Sequence, residues 1–146
     1  FTGATINTPS MLCVEDYLKA LDWAEGVGGL NGLIARANAN AQVIFDFCDA
    51  RDWMANLASD SATRSNTSVC LKFTDPRIID GAAFAKAVAK RLDAEGVAFD
   101  IGAYRDAPAG LRIWCGATIE TSDLEVLMPW IDWAFEAEIA AQSQAA

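Results

Sequence analysis

Only three short stretches of this chain alternate apolar and polar residues, and that small number constrains the fold more than any other feature. Val69, Leu71 and Phe73 alternate with Cys70, Lys72 and Thr74. Val97, Phe99 and Ile101 form a second run, and Leu111, Ile113 and Cys115 a third. A period of two marks a strand with one buried face. The remaining apolar pattern has helical spacing. Three strands are too few for a doubly wound sheet, so the expected class is α+β: a small antiparallel or mixed sheet covered by helices on one face.

The helical segments can be placed from their punctuation. Thr8-Pro9 reads as an N-cap followed by proline at the first helical position. Met11, Val14, Tyr17, Leu18 and Leu21 then repeat at three- and four-residue steps, as on a helix with one buried face. Gly26, Gly28 and Gly29 stop it. A second helix is expected over residues 30–51, with Leu30, Leu33, Ile34, Ala37, Ala41, Ile44, Phe45 and Cys48 inward and Asn38 and Asn40 toward water. The Gly-rich turn between the two implies an antiparallel pair. Residues 56–68 are polar and turn-rich. A third helix over 80–95 faces inward through Phe84, Val88 and Leu92, with Gly96 as its stop. Ser122 and Glu125 have capping-box spacing and open a last helix with Leu124, Leu127, Ile131, Ala134, Phe135 and Ile139 inward. Pro129 should kink that helix or mark its first turns, and residues 140–146 are expected to fray.

At 146 residues the chain is sized for one domain. Its formal net charge of -9 argues against a nucleic-acid partner. No apolar run is long enough for a membrane span, so no membrane partner is expected. The four cysteines are far apart and there is no histidine. That leaves metal motifs unsupported and rules out Ser-His-Asp or Cys-His catalysis by this chain alone. Each cysteine sits among apolar residues and reads as a small buried thiol, which suits the cytoplasm.

Residues 102–116, GAYRDAPAGLRIWCG, set Arg105 and Arg112 around a Pro-Gly turn at the lip of a strand. A guanidinium fork matches carboxylate or phosphate in a bidentate way. Two forks seven residues apart could hold one doubly anionic ligand. Two ordinary surface arginines would have the same spacing.

Three motifs, TINTPSMLCVEDYL (5–18), TRSNTSVCLK (63–72) and DIGAYRDAPAGLRIWCG (100–116), occur in order along nearly the whole chain. The sequence there resembles the C-terminal part of the phosphoserine aminotransferase family, in its alphaproteobacterial form. The resemblance implies a pyridoxal 5'-phosphate enzyme with the fold of the large aspartate-aminotransferase group (fold type I). Such an enzyme is a homodimer. It moves an amino group between O-phosphoserine and 2-oxoglutarate, in serine and often pyridoxine biosynthesis. On this reading residues 1–28 link to the cofactor domain and 29–146 form the small domain. Asn7 and Thr8 match the motif that reaches the cofactor phosphate of the partner subunit; read without the family, both merely cap the helix, and Thr8 could do both. Arg112 matches the arginine that binds the substrate α-carboxylate, and Arg105 one near the substrate phosphate. Tyr104 stands where many members carry histidine; a phenol donates one hydrogen bond but brings no charge.

None of Lys19, Lys72, Lys86 and Lys90 matches the family's Schiff-base lysine, which belongs to the large domain. The expectation is therefore a C-terminal piece without that domain, inactive alone and holding no cofactor by itself. Surface that packs on the large domain should be left as an apolar patch, with Met11, Val14, Leu18, Trp23 and Trp130 as candidates. The alternatives are a stand-alone module that binds an anionic amino acid, or an assembly module. Measurable phosphoserine affinity would favour the first of these.

Overall fold

The computed structural model describes Gly3 and residues 5–145. The chain divides into two compact units, residues 1–35 and 36–146.

In the N-terminal unit, helix α1 spans Met11–Gly26. Its N-cap is Ser10, whose hydroxyl accepts from the Cys13 amide at 3.4 Å. The cap thus lies two residues beyond Thr8: proline at position 9 ends the extended lead-in, and the hydroxyl next to the first turn does the capping. Gly28 and Gly29 take positive φ after Val27 and interrupt the helix. The apolar stripe expected to be buried is exposed. No residue of α1 is buried, and Met11, Leu12, Tyr17 and Leu18 all face solvent. Trp23 is exposed as well, whereas Trp130 is half-buried against the core of the other unit.

Helix α2 spans Gly29–Asp49 and its last turns enter the C-terminal unit. After it come β1 (Met54–Asn56), a 3-10 turn (Ser61–Thr63), β2 (Ser68–Phe73), α3 (Gly81–Ala94), β3 (Leu111–Trp114) and α4 (Thr121–Ala145). The sheet is antiparallel throughout, in the order β1-β2-β3. Met54, Val69, Leu71, Leu111 and Ile113 point to one face. They form a single core with Ala41, Ile44, Phe47 and Cys48 of α2, Phe84, Val88 and Leu92 of α3, and Leu124, Ile131, Phe135 and Ile139 of α4. The opposite face carries Cys70, Lys72, Arg112 and Trp114, with Cys70 registered against Arg112.

The third strand is not where alternation placed it. Residues 97–101 form no strand. The amides of Val97 and Ala98 both turn back to the Leu92 carbonyl, and Asp100 takes φ 53°, which breaks an extended run. Its place is taken by β1, three residues long and too short to show a period. Helix α3 is capped by Asp80, which accepts from the amides of Ala82 and Ala83. Helix α4 opens at Thr121, so Ser122 lies inside the first turn rather than at the cap. It runs through Pro129 and on to Ala145, with no fraying from residue 140; Ala146 lies outside the described residues.

Asn40 is the largest departure from the reading of α2. Expected to face water, it is 1% exposed. Its amide nitrogen donates to the carbonyls of Gly116 (3.1 Å) and Ile119 (2.9 Å), and its oxygen accepts from the Thr121 hydroxyl at 2.7 Å. One turn earlier, Arg36 donates to the Ala117 and Ile119 carbonyls and pairs with Glu120. Together they fasten the loop between β3 and α4 onto α2. Asn38 is exposed, as expected, and its oxygen accepts from Asn66.

Candidate functional site

The open face of the sheet positions Arg112. Leu111 and Ile113 are drawn into the core, so strand alternation turns Arg112 to the other side. Its backbone amide donates to the Ile101 carbonyl at 2.8 Å, which ties the strand to the segment beside it. The guanidinium is half-buried and reaches the Asp100 carboxylate with one arm, at 3.1 Å. Both residues line a cleft of about 480 Å³ with Phe99, Trp114, Ile119 and Asp123. Trp114 lies against Gly116, where a Cβ would meet the indole at 2.6 Å. This glycine lets the ring fold down beside the cleft. The arrangement suits a ligand with an anionic end for the fork and an apolar or aromatic-tolerant body.

Arg105 does not line that cleft. It sits with Tyr104 and Lys86 in a second cleft, also about 480 Å³, whose other walls are alanine and glycine of α3 and of the loop before β3. Neither Arg105 nor Lys86 has an ion-pair partner among the described residues. Tyr104 is exposed. Each arginine thus has its own cleft, and the single doubly anionic pocket that their spacing allowed is not formed by this unit alone. Sequence reasoning left out two residues. Lys86 looked like a solvated helix position. Asp100 looked like a strand residue pointing away from its neighbours. The alternation of Val97, Phe99 and Ile101 concealed the turn that brings Asp100 to Arg112.

Asn7 and Thr8 lie in the exposed lead-in to α1, in the other unit. Neither side chain is engaged by another described residue. An amide and a hydroxyl, both uncommitted, just ahead of a helix N-terminus are donors of the kind that hold a phosphate. They fit the phosphate end of pyridoxal 5'-phosphate. For its aldehyde end the chain offers no suitable group. Lys19 pairs with Asp22 in open solvent, and Lys72, Lys86 and Lys90 are exposed on the surface.

The thiols have no evident chemistry. Burial and the neighbouring Asp49 push Cys48 up to about 11, and burial likewise raises Cys115. Both stay protonated near neutral pH and are poor nucleophiles. Cys70 is half-buried and Cys13 is exposed, so the expectation of four buried thiols holds only for Cys48 and Cys115. Among the described residues there is no candidate metal cluster, and no helix is long and apolar enough to cross a membrane.

No family model matches the chain. Curated relatives do. Over 138 residues the chain is 51% identical to the phosphoserine aminotransferase of Methanosarcina mazei, covering 93% of this chain and 35% of that protein. Among solved structures, phosphoserine aminotransferase from Bacillus circulans subsp. alkalophilus superposes with a TM-score of 0.77 at 20% identity, over 90% of this chain and 34% of that one. The pyridoxal-phosphate-bound enzyme from Trichomonas vaginalis gives 0.73 at 18%, over 88% and 34%. The relatives at half identity come from Methanosarcina, so the narrower assignment to an alphaproteobacterial form has no support. The chain spans about a third of the length of the relatives that it matches. It belongs to the phosphoserine aminotransferase family, as a C-terminal portion of a member.

Proposed function

We propose that this chain is the substrate-gripping end of a transaminase that moves an amino group between O-phosphoserine and 2-oxoglutarate, yielding 3-phosphohydroxypyruvate and glutamate in serine biosynthesis. One observation carries the reading: Arg112, on the open face of β3, presents a half-exposed fork to a cleft. It does so in a chain half identical to enzymes of that name. In this role Arg112 holds the α-carboxylate of the substrate, in the geometry that a planar fork favours. Arg105, with Tyr104 beside it, meets the substrate phosphate at the margin of the second cleft. Asn7 and Thr8 hold the phosphate of the cofactor that serves the partner subunit of a homodimer. Bound pyridoxal phosphate supplies the electron sink for amino transfer. Residues 1–28 link to the missing large domain, residues 29–146 are the small domain, and the enzyme works in the cytoplasm. The exposed apolar stripe of α1 supports the view that a larger body covers it.

The test is Arg112→Lys in the full-length enzyme. Lysine keeps the charge but loses the second arm of the fork, a charge-assisted hydrogen bond whose loss should lower kcat/KM roughly tenfold or more. The loss should fall mainly on KM. Wild-type kinetics would remove Arg112 from the carboxylate site. The chain alone, mixed with pyridoxal phosphate, should show no stable visible band from a lysine-linked cofactor near neutral pH. A band abolished by replacing one of its four lysines would overturn that half of the proposal. A second reading, a stand-alone module for anionic amino acids, draws on both clefts lying within residues 36–146, a unit with its own core. It predicts measurable O-phosphoserine binding by calorimetry where the first predicts almost none.

A further inference from the structure

Asp100 is the one non-glycine residue with positive φ among the described residues, at 53°. An L side chain gives up free energy to stand there, and aspartate tolerates it better than most. Such an outlier is a reason to look for a role. Its carboxylate is 91% exposed, and the Arg112 side chain that it meets is 34% exposed. So open an ion pair contributes little to stability, which gives no structural account of the contact. Its location is more informative. The carboxylate occupies one arm of the fork, at 3.1 Å from Nη2, at the wall of the cleft into which the fork opens.

Building on the reading of Arg112 as a carboxylate grip, we propose that Asp100 is an internal competitor for that grip. It holds the guanidinium at the cleft while no ligand is bound and is displaced by the carboxylate of an incoming ligand. The displacement is selective. Asp100 makes a single hydrogen bond, whereas a ligand carboxylate facing the fork squarely makes two and prevails. An anion that reaches only one arm gains nothing over Asp100 and is turned away. Because the Asp100 side chain is in solvent, releasing it uncovers no buried charge. Asp123 also lines the cleft, so removing Asp100 lowers the negative field that a ligand meets without abolishing it.

Asp100→Asn separates charge from backbone, since asparagine also accepts positive φ. In the full-length enzyme, O-phosphoserine binding followed by calorimetry should tighten roughly two- to fivefold, the size of an exposed ion pair. Inorganic phosphate, which also meets a guanidinium fork with two oxygens, should tighten in the same direction. A ligand-independent reading accompanies this one. Phenylglyoxal modification of Arg112, followed by mass spectrometry, should be faster in Asp100→Asn than in wild type. An unchanged or slower modification rate, or O-phosphoserine affinity that fails to rise, would overturn the proposal. If Arg112→Lys binds O-phosphoserine as well as wild type does, the carboxylate assignment of Arg112 fails instead. The modification rates still decide whether Asp100 occupies the fork.

Discussion

Truncating Phe135 to alanine should lower the unfolding free energy of the chain by about 4 kcal/mol. Phe135 is fully buried on α4. Its ring lies flat on Trp53, with centroids 3.9 Å apart, and meets Phe84 of α3 edge-on at 5.6 Å. Phe73, at the end of β2, stacks on the same cluster. One side chain thus joins the last helix, the sheet, the third helix and the loop after α2. Removing it deletes apolar contact from all of them at once and leaves a cavity that four rigid elements cannot close. The ion pair between Arg51 and Asp132, bidentate beside the cluster, sits at the surface end and does nothing to fill the void. Urea unfolding monitored by tryptophan fluorescence measures the change, with Phe135→Leu as the milder control. A loss under about 1 kcal/mol would mean that the core is not centred there.

Asn40→Leu should cost about 3 kcal/mol. Leucine has the same branched arrangement of four side-chain heavy atoms as asparagine and is the larger of the two, so the cost is not a cavity. It comes from the carbonyls of Gly116 and Ile119, which lose the amide that serves both, and from the Thr121 hydroxyl, which loses its acceptor. Gly116 is itself buried, and its carbonyl keeps only the Ile119 amide, at 3.0 Å. Thermal unfolding of Asn40→Leu beside Arg36→Ala separates the two anchors of the loop. The arginine works nearer the surface, and its removal should be the milder of the two. Equal stability of Asn40→Leu and wild type would show that the loop is held by other means. Because Ile119 and Asp123 line the Arg112 cleft, a loosened loop should also reshape that cleft.

The parts of the fold that could be read from sequence are those in which one physical signal acts alone. Strands β2 and β3 announce themselves because Val69, Leu71, Leu111 and Ile113 face a core while their neighbours do not. Helix α3 does so through Asp80, Phe84, Val88 and Leu92. Strand β1 was hidden because three residues carry no period. Residues 97–101 misled because Val97 and Ile101 are drawn inward by a turn rather than by a ladder. Asn40 was misplaced for a different reason. A polar residue on a helix reads as solvated unless one knows which carbonyls another part of the chain will bring to it, and those lie more than 75 residues away. The site followed the same rule. The place of Arg112 on the open face of the sheet was legible from its strand. Its partner Asp100, and the separation of Arg105 with Lys86 into another cleft, depend on the path of the loop.

That loop path has one more consequence. Strand β3 is an edge of the sheet, and an open edge is a template on which another chain can add a strand. Here the edge is fenced: the Arg112 amide is already given to Ile101, and Gly102 bridges to Leu111. The fence is the stretch that carries Asp100. Any change that frees residues 97–102 would therefore both part Asp100 from Arg112 and open the sheet to cross-chain pairing, so solubility and the shape of the Arg112 cleft depend on the same few peptide groups.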